Sequence, residues 1–275
     1  MRPAADDPPL RRRRWRRCRP SRLVGLTQDL RREPGPARSG PDGPARESLT
    51  IIGGSGTGKS VLLRLIIGLM KPDAGQIHLE GINIIPLRET ELLKVRRRFG
   101  MVFQGSALFD SLSVGENVAF ALREHTTLSE AEIAARVRES LDLVGLGQIE
   151  SMDPADLSGG MKKRVAVARA VALPPSVLLY DEPTTGLDPT NVEKITDLIL
   201  ELKTKLGVTS VEVTHDMPSA LKVSDRVAML HQERIAAVGT PEEIRRDRAG
   251  SADPGVHGRA PAAIGGRRNA RVRRR

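Results

Sequence analysis

Gly53-Gly54-Ser55-Gly56-Thr57-Gly58-Lys59-Ser60 follows Glu47-Ser-Leu-Thr-Ile-Ile52, a short run with β-branched character. It precedes Val61–Met70, an apolar segment that reads as a helix stopped by Lys71-Pro72-Asp73-Ala74-Gly75. The octet matches G-x-x-x-x-G-K-[ST] at a strand-to-helix junction. Glycines let the backbone turn until successive N–H groups face one point, and larger side chains would block that approach. A helix beginning near Gly58 aims its positive end at the same point. Such a cradle suits a phosphate chain. Lys59 would supply a mobile cation for the β- and γ-phosphates, and the Ser60 hydroxyl a ligand for Mg²⁺.

Outward from this site, Val177-Leu-Leu-Tyr-Asp181-Glu182 is an apolar strand ending in two carboxylates. That places them at the carboxyl edge of a sheet, where open α/β folds bind ligands. Asp181 is expected to hold Mg²⁺ through water, and Glu182 to act as general base toward an attacking water. Lys59 and Asp181 lie 122 residues apart, so a folded insertion is expected between them. Gln76–Glu80 reads as a strand turned by Gly81. Ser129 with Glu132 forms a capping box on a helix with an Ile133, Val137, Leu141 and Val144 face, ended by Gly145. Val192–Leu206 carries Ile195, Leu198, Ile199 and Leu202 at helical spacing, and Thr209–Thr214 reads as another buried strand. Strands alternating with helices predict a mostly parallel α/β sheet without internal repeats. Glu212 breaks the apolar pattern of its strand, which suggests a sheet edge.

The chain has 275 residues and a net charge of +10, and that charge is unevenly placed. Residues 1–50 hold 13 Arg against six acidic residues, and residues 245–275 hold 10 Arg against two, whereas 51–244 is mildly acidic. Neither end contains lysine, and residues 1–47 hold eight prolines, so 1–45 is expected to be a disordered or aberrant Arg/Pro-rich segment and 245–275 a disordered basic tail. The single cysteine, Cys18, supports neither a disulfide framework nor a Cys-rich zinc site. No apolar stretch reaches the length of a membrane-spanning helix, and none follows Arg11–Arg14, so no secretory leader is expected.

Further motifs make the pattern specific. Leu157-Ser158-Gly159-Gly160-Met161, 23 residues ahead of Asp181 when counted from Ser158, resembles the signature motif of ABC-type ATPases. Ser158 is a good N-cap, the two glycines permit close approach, and Lys162–Leu173 is helix-forming. Gln104, after Gly100-Met-Val-Phe103, resembles the family's Q-loop glutamine, which senses Mg²⁺ and the attacking water. Gly186-Leu187-Asp188 resembles its D-loop, and His215, following Thr209–Thr214, its switch histidine at the γ-phosphate. The resemblance covers about residues 45–244 and implies a P-loop NTPase of the ABC type: an α/β core at 46–244 with a helical subdomain at about 105–160. It implies ATP and Mg²⁺ as ligands and a homodimer, with Ser158, Gly159 and Gly160 meeting the γ-phosphate held by the second copy's P-loop.

Phe103-Gln-Gly-Ser-Ala-Leu-Phe109-Asp-Ser-Leu-Ser-Val-Gly-Glu-Asn117-Val-Ala-Phe120-Ala-Leu-Arg123-Glu-His125 resembles the ATPases of Mla/Mce-type lipid transporters. That implies phospholipid cargo, an integral-membrane permease, an Mce-domain lipid-binding partner, and a place on the cytoplasmic face of the inner membrane through the permease. Leu108, Phe109 and Leu112 are then expected to form the permease socket. Amino-acid or other small-solute importers carry similar segments and stay open as an alternative. No specific nucleic acid is expected, although an ATPase acting on nucleic acid through the Arg-rich ends, or an inactive remnant, are rival readings. The chain departs from the family at its N-terminal antiparallel β-subdomain, which looks incomplete. Between Pro20 and Ser48 there is no aromatic residue to stack on adenine, and Trp15 is the sole candidate.

Overall fold

The computed structural model describes residues 22–24, 47–72, 75–79, 82–231 and 234–250. In chain order these form β1 (Arg22–Val24), β2 (Ser48–Ile52), α1 (Lys59–Ile66), β3 (Gln76–Leu79), β4 (Ile82–Asn83), α2 (Glu89–Arg96) and β5 (Phe99–Val102). The middle holds α3 (Val114–His125), α4 (Glu130–Leu143), a 3₁₀ turn (Pro154–Asp156) and α5 (Gly159–Ala172). Then come β6 (Val177–Asp181), α6 (Pro189–Leu206), β7 (Thr209–Thr214), α7 (Met217–Val223), β8 (Arg226–His231), β9 (Arg234–Gly239) and α8 (Pro241–Gly250).

A six-stranded sheet runs in the order β5-β6-β7-β2-β8-β9. Its first five strands are parallel, and β9 closes the edge antiparallel to β8. Strand β6 is buried along its whole length because both faces of the sheet are covered. Its side chains alternate between two cores. Leu178 and Tyr180 enter the cluster built with α3, α4, α5 and α6, while Val177 and Leu179 join α1, α2 and the β3 side chains. The capping box at Ser129 and Glu132 is present, and Ile133, Val137, Leu141 and Val144 are buried as their spacing predicts.

Four expectations change. Helix α1 starts at Lys59 and ends at Ile66, short of Met70, because Gly68 takes φ +72° and lets the Leu69 N–H bond the Arg64 carbonyl in a Schellman turn. The antiparallel subdomain has a counterpart: β1, β3 and β4 form a three-stranded sheet, with Leu23 opposite Ile77. That strand falls inside the segment expected to lack regular structure, and α8 carries the ordered chain past residue 244. Glu212 is not at an edge, since β7 pairs with β6 on one side and β2 on the other. It is 3% exposed and accepts a hydrogen bond from Thr50 Oγ1 at 3.2 Å, which is how the sheet interior tolerates it. Trp15, Cys18 and the turn at Gly81 lie outside the described residues.

Candidate functional site

The register of the parallel strands assembles the site. Ile52 stands opposite Thr214, and Asp181 opposite Val213, so β2, β6 and β7 end at one level. The residues that follow them, Gly53–Ser60, Glu182 and His215, therefore emerge side by side from the carboxyl edge of the sheet. Gly56 and Gly58 adopt φ +76° and +93°, conformations that side chains disfavour. A Cβ on Gly53 would come within 2.7 Å of the Leu230 carbonyl oxygen, so the loop passes where only glycine fits. Ser55 is exposed in this loop, and Thr57 Oγ1 braces it by donating to the Gly54 carbonyl at 3.0 Å.

Lys59 is 5% exposed and folds back beneath the loop. Its Nζ donates to the carbonyls of Gly53 at 3.0 Å and Gly54 at 2.9 Å, and pairs with Glu182 Oε1 at 3.2 Å. Ser60 Oγ donates to Asp181 Oδ1 at 2.9 Å, joining the two halves expected to share a cation. Glu182 occupies a left-handed backbone conformation, φ 45°, and its N–H donates to the Val213 carbonyl. Its other oxygen, Oε2, accepts from Thr185 Oγ1 at 2.8 Å and lies 3.0 Å from His215 Nδ1. Burial pushes this carboxyl up, but the Thr185 hydroxyl, the Lys59 ammonium and His215 together outweigh it and hold Glu182 below the usual carboxylate range.

A second cluster forms elsewhere in the same chain. Ser158 caps α5 through the Met161 N–H, at 3.3 Å. Gly160 lies against Asn191, where an added Cβ would sit 2.8 Å from Oδ1, and Gly159 faces Leu187. Asp188 caps α6 and accepts from both the Asn191 N–H and its side-chain amide, which hold its carboxyl below the ordinary range. Gly160 and Asp188 are thus joined through Asn191, and Gly159 sits beside them on Leu187. None of them is joined to the phosphate loop. Among the described residues no hydrogen bond or ion pair links Ser158–Gly160 to Gly53–Ser60, and α5 packs on α3, α4, β5 and α6 while α1 packs on β6 and β7.

Gln104 is the site residue the structure places differently. Its side chain is exposed, and among the described residues it makes no hydrogen bond to Ser60, Asp181 or Glu182. Its main-chain carbonyl instead accepts from Lys163 Nζ on α5. Of the expected socket residues, Leu108 packs on the helical core and Leu112 is half-buried, but Phe109 is 43% exposed and packs at a tilt against Phe120 with ring centroids 4.9 Å apart. Thr185, Asn191, Lys163 and Arg169 were not singled out from sequence. Lys163 carried a signal: it shares the helical stripe of Ala166, Val167 and Ala170, where a lysine is out of place.

The ABC transporter family model matches residues 43–185. The chain belongs to the ABC transporter family. Within that family it is 42% identical over 202 residues to the intermembrane phospholipid transport system ATP-binding protein MlaF of Escherichia coli, covering 74% of this chain and 75% of that one. It is 43% identical over 203 residues to a probable ribonucleotide transport ATP-binding protein, mkl, of Mycobacterium leprae, covering 74% of this chain. The match spans 58% of that relative, so the chain accounts for little more than half of its length. Among solved structures it resembles the dimeric post-hydrolysis state of the ATP-binding cassette MJ0796 bound to ADP and Pi, with TM-score 0.66 and 36% identity over 71% of this chain and 85% of that one. Among the described residues of this ABC cassette, no helix is long and apolar enough to cross a membrane.

Proposed function

We propose that this chain hydrolyses ATP as one half of a head-to-tail dimer and so drives the transport of lipid, phospholipid in the first instance, through a membrane permease. The observation that carries the reading is the separation, within one chain, of the Gly53–Ser60 loop from the Ser158–Gly160 turn. Each is a place where backbone N–H groups gather at a helix start, and a second copy would bring the missing half to each loop.

The residues suit ATP and its cation. Gly53, Gly56 and Gly58 keep the loop open to phosphate oxygens. Ser60 and Asp181 offer a hydroxyl and a carboxylate 2.9 Å apart, the hard oxygen donors that Mg²⁺ takes while keeping other positions for phosphate and water. Held by Ser60 and Asp181, that cation would supply positive charge to offset the charge that develops on the phosphates. Lys59 would exchange the Gly53 and Gly54 carbonyls for phosphate oxygens, leaving Glu182 free to take a proton from water. The water oxygen then bonds to the γ-phosphorus, the bond to the β–γ bridging oxygen breaks, and ADP carries off the electron pair. His215 would orient Glu182 and the γ-phosphate, Gln104 would turn from its exposed position to attend the cation and the water, and Ser158, Gly159, Gly160 and Asp188 would act across the dimer.

Phospholipid as cargo rests on the MlaF likeness, and nucleotide cargo is the second reading because the mycobacterial relative is named for it. The exposed Phe109–Phe120 pair is the surface offered to the permease, which would hold the chain at the inner face of the membrane, with an Mce-domain protein as the further partner. Turnover of MgATP by the purified chain is the direct test, with Glu182→Gln beside it. We expect the variant to bind ATP, to stop hydrolysing it, and to accumulate as a dimer by light scattering. Wild-type turnover in that variant would remove Glu182 from the role.

A further inference from the structure

We propose that Lys163 is a positioning residue: from one buried point on α5 it holds the Gln104 loop and the Glu182 main chain together, so that the helix capped by Ser158 sets the placement of both. This rests on the ATPase reading above. Lys163 is 5% exposed, and its Nζ donates to the Gln104 carbonyl and, at 3.5 Å, to the Glu182 carbonyl. An ammonium is costly to bury, and an apolar side chain of similar length would fill the same space more cheaply. Burial pushes this lysine below its ordinary range, while the Asp181 and Glu182 charges favour its protonated form. Three N–H donors on a flexible stem can serve two carbonyls 78 positions apart in sequence, which a methionine or leucine cannot do.

The same helix grips the loop a second time. Arg169 donates to the Ser106 carbonyl at 3.0 Å and the Ala107 carbonyl at 2.7 Å, and its guanidinium stands 5.8 Å from the centre of the Phe109 ring. Ser106 and Ala107 have φ 65° and 48°, a left-handed conformation that residues with a Cβ keep only when their surroundings impose it. The loop from Gln104 to Phe109 is therefore pinned to α5 by two cations through three carbonyls. The start of α5 also lies against Asn191, which in turn bonds Asp188 at the start of α6. Displacement of that helix start would reach Gln104, Glu182 and Phe109 as one body.

The test uses the full chain with Lys163→Met, which keeps a stem and loses the charge and donors, and Lys163→Arg, which keeps both. For Lys163→Met we expect ATP affinity by calorimetry within about threefold of wild type, since Gly53–Ser60 is untouched, but kcat at least tenfold lower. Lys163→Arg should recover most of that loss. Combining Lys163→Met with Gln104→Ala should cost no more than the worse single change, because both act through one loop. Hydrogen exchange reads the same claim without turnover: the Ser106, Phe109 and Thr185 amides should exchange about tenfold faster in Lys163→Met while α4 keeps its protection. A wild-type chain that fails to hydrolyse ATP, together with a Lys163→Met protein that shows this exchange pattern, would refute the ATPase reading and leave the positioning role standing. Unchanged exchange at Ser106 and Phe109, or protection lost equally in α4, overturns the proposal, as does additivity with Gln104→Ala.

Discussion

Glu182, just past the end of β6, and Glu212, inside the neighbouring β7, are carboxylates with opposite surroundings. Thr185, Lys59 and His215 stabilise the anion of Glu182 against its burial. Glu212 is enclosed within the sheet, with the Thr50 hydroxyl as its hydrogen-bond donor and the Asp216 charge nearby, and burial pushes it up to about 7. A carboxyl raised in the folded state binds more protons than the unfolded chain between about pH 4.5 and 7, so its contribution to stability falls as pH rises through that window. The loss is on the order of 3 kcal/mol when complete. Glu212→Gln keeps the shape and removes the titration. Urea midpoints for the two proteins should be similar near pH 4.5 and diverge by pH 8 in favour of the variant. Parallel pH profiles would show that Glu212 stays ionised.

Among the elements, two helix starts invite comparison because they are chemically alike and differently placed. Ser129 and Ser158 each accept from an N–H three residues on, but α4 begins in a solvent-facing capping box and α5 begins against Asn191. Ser129→Ala should cost about 1 kcal/mol of stability and leave ATP turnover unchanged. Gly160→Ala would set a methyl 2.8 Å from Asn191 Oδ1, so the Asn191 side chain must turn away and its amide bond to Asp188 is disturbed. Turnover should fall at least tenfold with ATP affinity retained, because the Gly53–Ser60 loop belongs to another part of the chain. A Gly160→Ala protein with full turnover would mean that this contact has slack to spare. Much of this was legible beforehand: Ser129, Glu132 and Ser158 announce helix starts through side chains acting three residues away, whereas Asp188 stood out only as part of the D-loop and its capping of α6 came from the structure. Gly68 announced a stop too, but an isolated glycine in an apolar run does not reveal its φ, and the apolar pattern through Met70 masked it.

On the scale of the whole molecule, the sheet gathers one set of groups at the ends of β2, β6 and β7, and the helical layer gathers another at the starts of α5 and α6. If two copies complete each other, hydrolysis requires association. Specific activity should therefore rise with protein concentration in the absence of a permease and level off once dimers dominate. A specific activity independent of concentration, in a chain that stays monomeric under turnover, would mean that one copy suffices.

From sequence alone came the phosphate loop, the strand ending in Asp181 and Glu182, the capped start at Ser158, His215 after its strand, and the parallel α/β class. These depend on chemistry between residues a few positions apart, or on the alternation of apolar side chains, and neither needs the rest of the chain. The fold decided where Glu212 lies, which partners Lys59 holds, that Arg22–Val24 pairs with β3, and that Lys163 reaches Gln104 and Glu182. Those outcomes join residues up to 162 positions apart, as in the Thr50–Glu212 bond, and their free energies depend on which side chains packing brings together and shuts away from water.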